Sequence, residues 1–236
     1  MKKLIVLAMV SAVLAGCDDA PAPDAFTPEM ASFSNEFDFD PLRGPVKDFS
    51  QTLMNEEDKV ALRVTGTLSK EGCFETLDFH DVESNTGASL VLNANFYLDS
   101  MTQEKRVKLQ GKCQLAELSG TGLVYETDDK GFVVAARNSD AEIRYRYDSE
   151  GYPLGRTAKS KDKELSVEAT VSSDAHKKHD YTAETTLNGE VVGRANQSCR
   201  YDSHFNPVSC ELVMTDVSVT PNKVQKFTIK NIINYY

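Results

Sequence analysis

Long apolar runs are scarce in this 236-residue chain; the longest goes from Leu4 to Val13 and is broken by Ser11. A helix needs about 20 such residues to cross a bilayer, so this run is too short to span one. A basic stripe is missing as well. Lys and Arg number 26 against 36 Asp and Glu, a formal net charge of −10, which excludes the electropositive footprint of a nucleic-acid-binding domain. No Lys/Arg cluster offers a surface to anionic headgroups. Gly-x-Ser-x-Gly, His-Glu-x-x-His and Gly-x-x-x-x-Gly-Lys do not occur. The motifs of an α/β-hydrolase, a zinc peptidase and a P-loop are therefore absent. Cys-x-x-Cys is missing too, and with it the close ligand spacing of a structural zinc site. Tryptophan is absent and prolines number only eight; neither fact excludes anything.

What is present begins with Met1-Lys2-Lys3, a short basic opening to the apolar run. Small residues, Leu14-Ala15-Gly16, then precede Cys17. This is the three-part layout of an export signal over residues 1–16. Leu-Ala-Gly-Cys resembles the lipobox of bacterial lipoproteins. The resemblance implies that Cys17 is diacylated on sulfur, becomes residue one after cleavage, and is acylated on nitrogen. Lipidation also accounts for the odd count of five cysteines, since removing Cys17 leaves four that can pair. Each buried CH₂ contributes roughly 0.8 kcal/mol, so two or three chains make a lasting anchor. Asp18 and Asp19 resemble the signal that keeps a lipoprotein in the inner membrane. The expected location is that membrane, anchored by lipid and facing the periplasm.

Residues 17–42 read as an acidic tether: positions 18–42 hold seven acids and no Lys or Arg. Positions 18–26 are small, acidic and proline-bearing, and are expected to be mobile. Thr27-Pro28-Glu29 supplies an N-cap, a first-turn proline and a first-turn acid. A short helix over 28–36 follows, with Phe33 and Phe37 on one side, able to dock on the domain. The domain edge is expected near residue 43, with a single β domain over 43–236.

From Val46 onward the hydrophobic period is two. In "SLVLNANFYL", Leu90, Leu92, Ala94, Phe96 and Leu98 share one face. In "RVKLQGKCQL", Val107, Leu109, Gly111, Cys113 and Leu115 do the same. Such alternation predicts strands apolar on one side and wet on the other. Asn188-Gly189 is a type I′ hairpin signal. A weak repeat aligns Tyr147-Asp148-Ser149-Glu150-Gly151-Tyr152-Pro153 with Tyr201-Asp202-Ser203-His204-Phe205-Asn206-Pro207. Fainter copies start near Thr127, Leu68 and Met54. The prediction is an all-β fold: an antiparallel meander of roughly a dozen strands, a curled open sheet or barrel-like. A sheet this long must close, fold over or hide its edges.

If Tyr201 opposes Val208, then Cys199 faces Cys210 across a hairpin, within disulfide reach. Cys73 and Cys113 remain as the second pair. Ser160-Lys161-Asp162-Lys163 matches Ser-x-x-Lys but lies in a charged connection, so it reads as a solvated turn. Asp174, His176, His179 and Asp180 in "SDAHKKHD" read as an exposed loop, because Lys177 and Lys178 oppose a cation. His80 and His204 read as lone strand or turn residues. No catalytic residue, metal or cofactor is assigned.

The blocks "FTPEMASFSNEFDFDPLRGPVKDF", "KRVKLQGKCQLAEL" and "RYRYDSEGYPLG" resemble the YnfC family of bacterial lipoproteins, over Phe26 to Tyr236. The family implies an address and a lipid cysteine, which fall on Cys17, and brings no catalytic residues. The expected role is a non-enzymatic interaction or scaffold protein, held to the membrane by lipid, with a protein partner in the envelope. The rival is a carrier or sensor of a lipid or other apolar ligand. Whether the apolar face is sealed or hollow separates the two.

Overall fold

A computed structural model describes residues 22–82 and 84–236. The expected signal, Cys17, Asp18 and Asp19 lie outside the described residues. Sixteen antiparallel strands form one closed barrel in which each strand pairs with its sequence neighbours, and the first with the last. They are β1 (Val46–Asn55), β2 (Val60–Leu68), β3 (Phe74–Asp81), β4 (Thr86–Asn93), β5 (Phe96–Asp99), β6 (Lys105–Gln110), β7 (Gln114–Leu118) and β8 (Leu123–Thr127). The second half is β9 (Val133–Arg137), β10 (Ala141–Tyr147), β11 (Pro153–Ser160), β12 (Lys163–Val171), β13 (Tyr181–Leu187), β14 (Glu190–Tyr201), β15 (Pro207–Asp216) and β16 (Lys223–Tyr235). Among the described residues, one α-helix, α1 (Pro28–Phe37), precedes them. Closure leaves no unpaired edge.

Two overlooked turns help raise the count above the expected dozen. Ala94-Asn95 is a two-residue turn, with Asn93 paired to Phe96 and Leu92 to Tyr97. A turn of this length swaps parity, so Tyr97 rather than Phe96 carries the apolar face inward; Tyr97 is fully buried. Gly111 and Cys113 both take positive φ and divide "RVKLQGKCQL" into β6 and β7. That longer turn keeps parity, so Val107, Leu109, Cys113 and Leu115 are all buried as expected.

The turn repeat is real. At Asn55, Ser69, Asp128, Asp148 and Asp202, the N–H donates to the carbonyl four residues on, and the N–H three residues on donates back. The residue three places on has positive φ each time: Asp58, Gly72, Gly131, Gly151 and Phe205. This is a type I turn closed by a left-handed residue, the standard three-residue hairpin with a bulge. In the Asp128, Asp148 and Asp202 turns, the side-chain Oδ1 also accepts two backbone N–H groups. The hairpin at Asn188-Gly189 has the two positive φ values, 52° and 84°, of a type I′ turn.

The helix lies inside the barrel rather than on it. Thr27 caps it by accepting from the Met30 N–H at 3.2 Å, and Asp38 ends it in the left-handed region. Phe33 packs against Phe74 and Tyr97 with ring centroids 4.8 and 5.4 Å away. Phe26, Phe39, Leu42 and Arg43 are buried too. The tether expected over 17–42 therefore ends before Phe26. Its apolar residues Phe26, Met30, Phe33, Phe39 and Leu42 are buried, and the stretch becomes core. With α1, inward side chains of β1–β10 fill that half of the lumen, among them Phe49, Val64, Leu77, Leu90, Leu115 and Tyr125.

Many outward positions carry charge. Arg144 and Arg146 on β10, Glu168 on β12, Glu184 on β13 and Arg194 on β14 carry exposed side chains. A membrane-spanning barrel wears an apolar band there, where an Arg or Lys at mid-depth costs about 2–4 kcal/mol. This barrel has the reverse polarity.

Candidate functional site

The other half of the lumen is hollow, because a row of its inward residues is small. Ala169 on β12 pairs with Ala183 on β13, which pairs with Ala195 on β14. Three methyl groups thus stand in a row where the β1–β10 half has Phe, Tyr and Leu. The result is a cavity of about 460 Å³. Its walls are apolar: Leu53, Leu62, Val64, Val167, Leu212 and Ile229. Ligand pockets of ordinary size run from roughly 300 to 1,000 Å³ and are lined in this way.

Polar groups gather on one side, where the chain leaves α1. Arg156 Nη2 contacts Asp38 Oδ1 at 3.1 Å, and its Nη1 donates to the Asn35 carbonyl. Asp40 is clamped through its backbone, its N–H donating to Gln51 Oε1 at 2.9 Å and its carbonyl accepting from Gln51 Nε2 at 2.6 Å. The carboxylate Oδ2 of Asp40 accepts from Gln197 Nε2 at 3.2 Å. Tyr181 OH donates to Gln197 Oε1, also at 3.2 Å, and orients that amide. Burial pushes the Asp40 carboxyl up to about 6, against the lowering effect of the Gln197 bond. Burial likewise raises the Tyr181 and Tyr152 hydroxyls, with the Asp40 charge adding to it. The cavity thus offers an apolar wall and one polar patch, which suits a molecule with an apolar body and a polar head.

Antiparallel topology puts the β10–β11, β12–β13 and β14–β15 turns at one end of the barrel, where β1 starts and β16 finishes. That end is closed. Arg43 is buried there, its guanidinium 4.3 Å from the Phe26 ring centre and 3.9 Å from Glu150. Asn206 exchanges two 2.8 Å bonds with the Arg43 backbone. Lys178 bridges Asp148 and Glu150 at 2.8 and 3.1 Å. At the opposite end, Leu165, Leu187 and Met214 have inward parity yet are 43%, 38% and 45% exposed. Solvent reaches the lumen there, and the apolar wall continues to the mouth.

A family model described as "Uncharacterised protein family (UPF0257)" matches residues 1–236. The chain belongs to this family. Relatives named "UPF0257 lipoprotein YnfC" from Salmonella typhi, Salmonella dublin and Salmonella typhimurium are each 58% identical over 236 residues, covering 100% of both chains. Their shared name agrees with the lipobox resemblance at Cys17. Among solved structures, a porin-like protein from Bacteroides uniformis aligns with a TM-score of 0.51 at 10% identity, covering 81% of this chain and 98% of that one. At that identity the likeness shows the fold alone, and the outer faces need not agree in polarity.

The sequence candidates of this UPF0257 chain are scattered. Cys73 is bonded to Cys113 and Cys199 to Cys210. The latter pair faces across β14 and β15 as expected, although a bulge sets Tyr201 against Pro207 rather than Val208. Ser160 and Lys163 flank an exposed two-residue turn. "SDAHKKHD" is not one exposed loop. His176 stays with Asp174, its Nδ1 3.2 Å from Oδ1, but His179 is completely buried. Its Nε2 lies 2.8 Å from the Pro41 carbonyl, and Phe26 and Tyr152 pack edge-on around the ring. Burial lowers His179 to about 3, so it is a neutral core residue that docks the chain before β1. Asp180 accepts from the Cys199 N–H and Tyr201 OH at 2.7 and 2.9 Å. His204 stacks on Tyr235 with centroids 3.9 Å apart, and His80 is an exposed residue of β3. Among the described residues, no three His, Cys, Asp or Glu are grouped to hold a metal.

The residues that shape the cavity escaped the sequence reading. Their signal was nevertheless present: a small residue at inward parity in three successive strands, "VEATV", "YTAET" and "GRANQ".

Proposed function

We propose that this protein is a lipid-anchored binding protein that carries or senses an apolar or amphipathic small molecule inside its barrel. The observation behind this reading is the hollow lumen next to the Ala169–Ala183–Ala195 row. A barrel whose only purpose was a rigid outer surface would be filled throughout, as the β1–β10 half is. No catalytic role, metal or cofactor is part of the proposal.

The anchor is lipidated Cys17, and Asp18 and Asp19 hold the protein at the inner membrane facing the periplasm. Phe26 enters at the closed end, its N–H donating to the Glu150 carbonyl at 2.9 Å. Nine residue steps lead from Cys17 to Phe26 and reach at most about 30 Å. The closed end therefore stays near the anchoring bilayer, and the mouth points away from it or sideways. An interaction role survives in a narrower form: exposed Leu187, Met214, Val219 and Val224 at the mouth are where an envelope partner would hand over or collect the ligand.

The experiment uses residues 17–236 with Cys17→Ser, exported behind a non-lipoprotein leader and purified without detergent. It contains every described element of the fold. Mass spectrometry of an organic extract is expected to find an amphiphile at close to one per chain. An empty extract, together with no uptake of the apolar fluorophore N-phenyl-1-naphthylamine by the folded protein, would overturn the reading.

A further inference from the structure

Among the described residues, Asp40 is the one carboxylate on the cavity wall with no opposite charge to match it. The wall carries Asp38, Asp40 and Arg156, and Arg156 is already engaged by Asp38 at 3.1 Å and by the Asn35 carbonyl. Among the described residues, the groups around Asp40 are the amides of Gln51 and Gln197 and the phenols of Tyr152 and Tyr181. None of these carries positive charge.

We propose that the molecule held in this lumen is a cationic amphiphile, whose protonated amine sits on the Asp40 carboxylate and whose apolar body lies along the alanine row. This rests on the lumen being a ligand site, and it names the ligand class. Leaving a carboxylate in an apolar cavity without a cation is unfavourable, because burial penalises the charged form. An ammonium group supplies the missing charge through a charge-assisted hydrogen bond, roughly twice as strong as a neutral one. The carboxylate needs no reorganisation to receive it. Gln51 fixes the backbone, and Gln197, held by Tyr181 and by the His179 carbonyl at 3.3 Å, fixes Oδ2. Tyr152 and Tyr181 also line the cavity and give a cation two aromatic neighbours. A fatty acid fits poorly. Its carboxylate would meet Asp40 as a like charge, and Arg156, the one wall cation among the described residues, is already paired.

The test is competition at pH 7.5 on the unlipidated 17–236 chain loaded with N-phenyl-1-naphthylamine. Dodecylammonium, dodecanol and dodecanoate share one chain length, and each is titrated below its micelle concentration. The amine is expected to displace the probe at a concentration at least about 10-fold lower than the alcohol or the acid, an advantage of about 1.4 kcal/mol. In Asp40→Asn the amine should lose its advantage over the alcohol. Equal displacement by all three, or preference for dodecanoate, overturns the cationic assignment and leaves the lumen as a ligand site. Failure of the wild-type protein to take up the probe overturns both. The wild-type comparison decides the matter even if the variant does not fold.

Discussion

Ala183 stands directly opposite Ala195 on neighbouring strands, both pointing into the lumen. With Ala169 they set the inner diameter of one half of the barrel, whereas the other half is filled by α1 and aromatic side chains. The hollow is thus a property of three methyl groups.

That contrast predicts opposite outcomes for one chemical change. Ala195→Leu adds apolar volume to empty space and is expected to leave stability unchanged or to raise it. Ala136, fully buried in the filled half, has no such room, and Ala136→Leu is expected to cost about 1–3 kcal/mol through overpacking. Urea unfolding of both variants checks this. Equal destabilisation would mean that the lumen beside Ala195 is not hollow.

Two glycines with the same φ of +85° separate backbone strain from packing. At Gly72 an added Cβ meets nothing within 4 Å, while at Gly151 it meets Phe132 Cζ at 2.6 Å and the Phe26 carbonyl at 2.9 Å. Gly72→Ala is expected to cost about 1 kcal/mol, the left-handed term alone. Gly151→Ala should cost clearly more, because Phe26 must shift from the closed end. Thermal melts of the pair read the difference.

Asp40 makes stability depend on pH in a defined direction. Its folded pKa is raised from 3.8 to about 6 by burial, so the folded state binds this proton more tightly than the unfolded chain. Its ionisation therefore destabilises the fold above pH 6, and the penalty disappears as pH falls from 6 to below 4. Compared with wild type, Asp40→Asn should gain on the order of 2 kcal/mol between pH 4 and pH 8. Denaturant titrations at the two pH values test it, and a variant-to-wild-type difference that is flat with pH would refute the assignment.

The disulfides should contribute unequally. Cys73–Cys113 closes a separation of 40 residues and Cys199–Cys210 one of 11. The chain-entropy model gives about 4 and about 3 kcal/mol respectively. Paired Cys→Ser variants, unfolded in urea, are expected to keep that order.

Much of this fold was legible because strand alternation and turn chemistry are local. The Asp148 and Asp202 turns, the Asn188-Gly189 hairpin and the Cys199–Cys210 register all follow from short-range rules. The turn at Ala94-Asn95 escaped because alanine is not a turn residue and the apolar period runs on through it. The buried place of Phe26 to Arg43 escaped because its acids mask aromatic residues whose partners, Phe74 and Tyr97, lie far along the chain. The cavity was harder still. An inward alanine reads the same in a sealed core as beside a void, and only the closed barrel shows that nothing reaches across to fill the space. Asp40 looked like one more acid of a tether until Gln197, 157 residues away, placed it on the cavity wall.

The central claim is that the lumen beside Ala183 and Ala195 is the binding site. It is tested most directly by titrating N-phenyl-1-naphthylamine into the unlipidated 17–236 chain and into Ala195→Phe. The account predicts saturable uptake near one probe per wild-type chain and its loss in Ala195→Phe, with both proteins equally folded by circular dichroism. Undiminished uptake in Ala195→Phe, or none in the wild type, would contradict it.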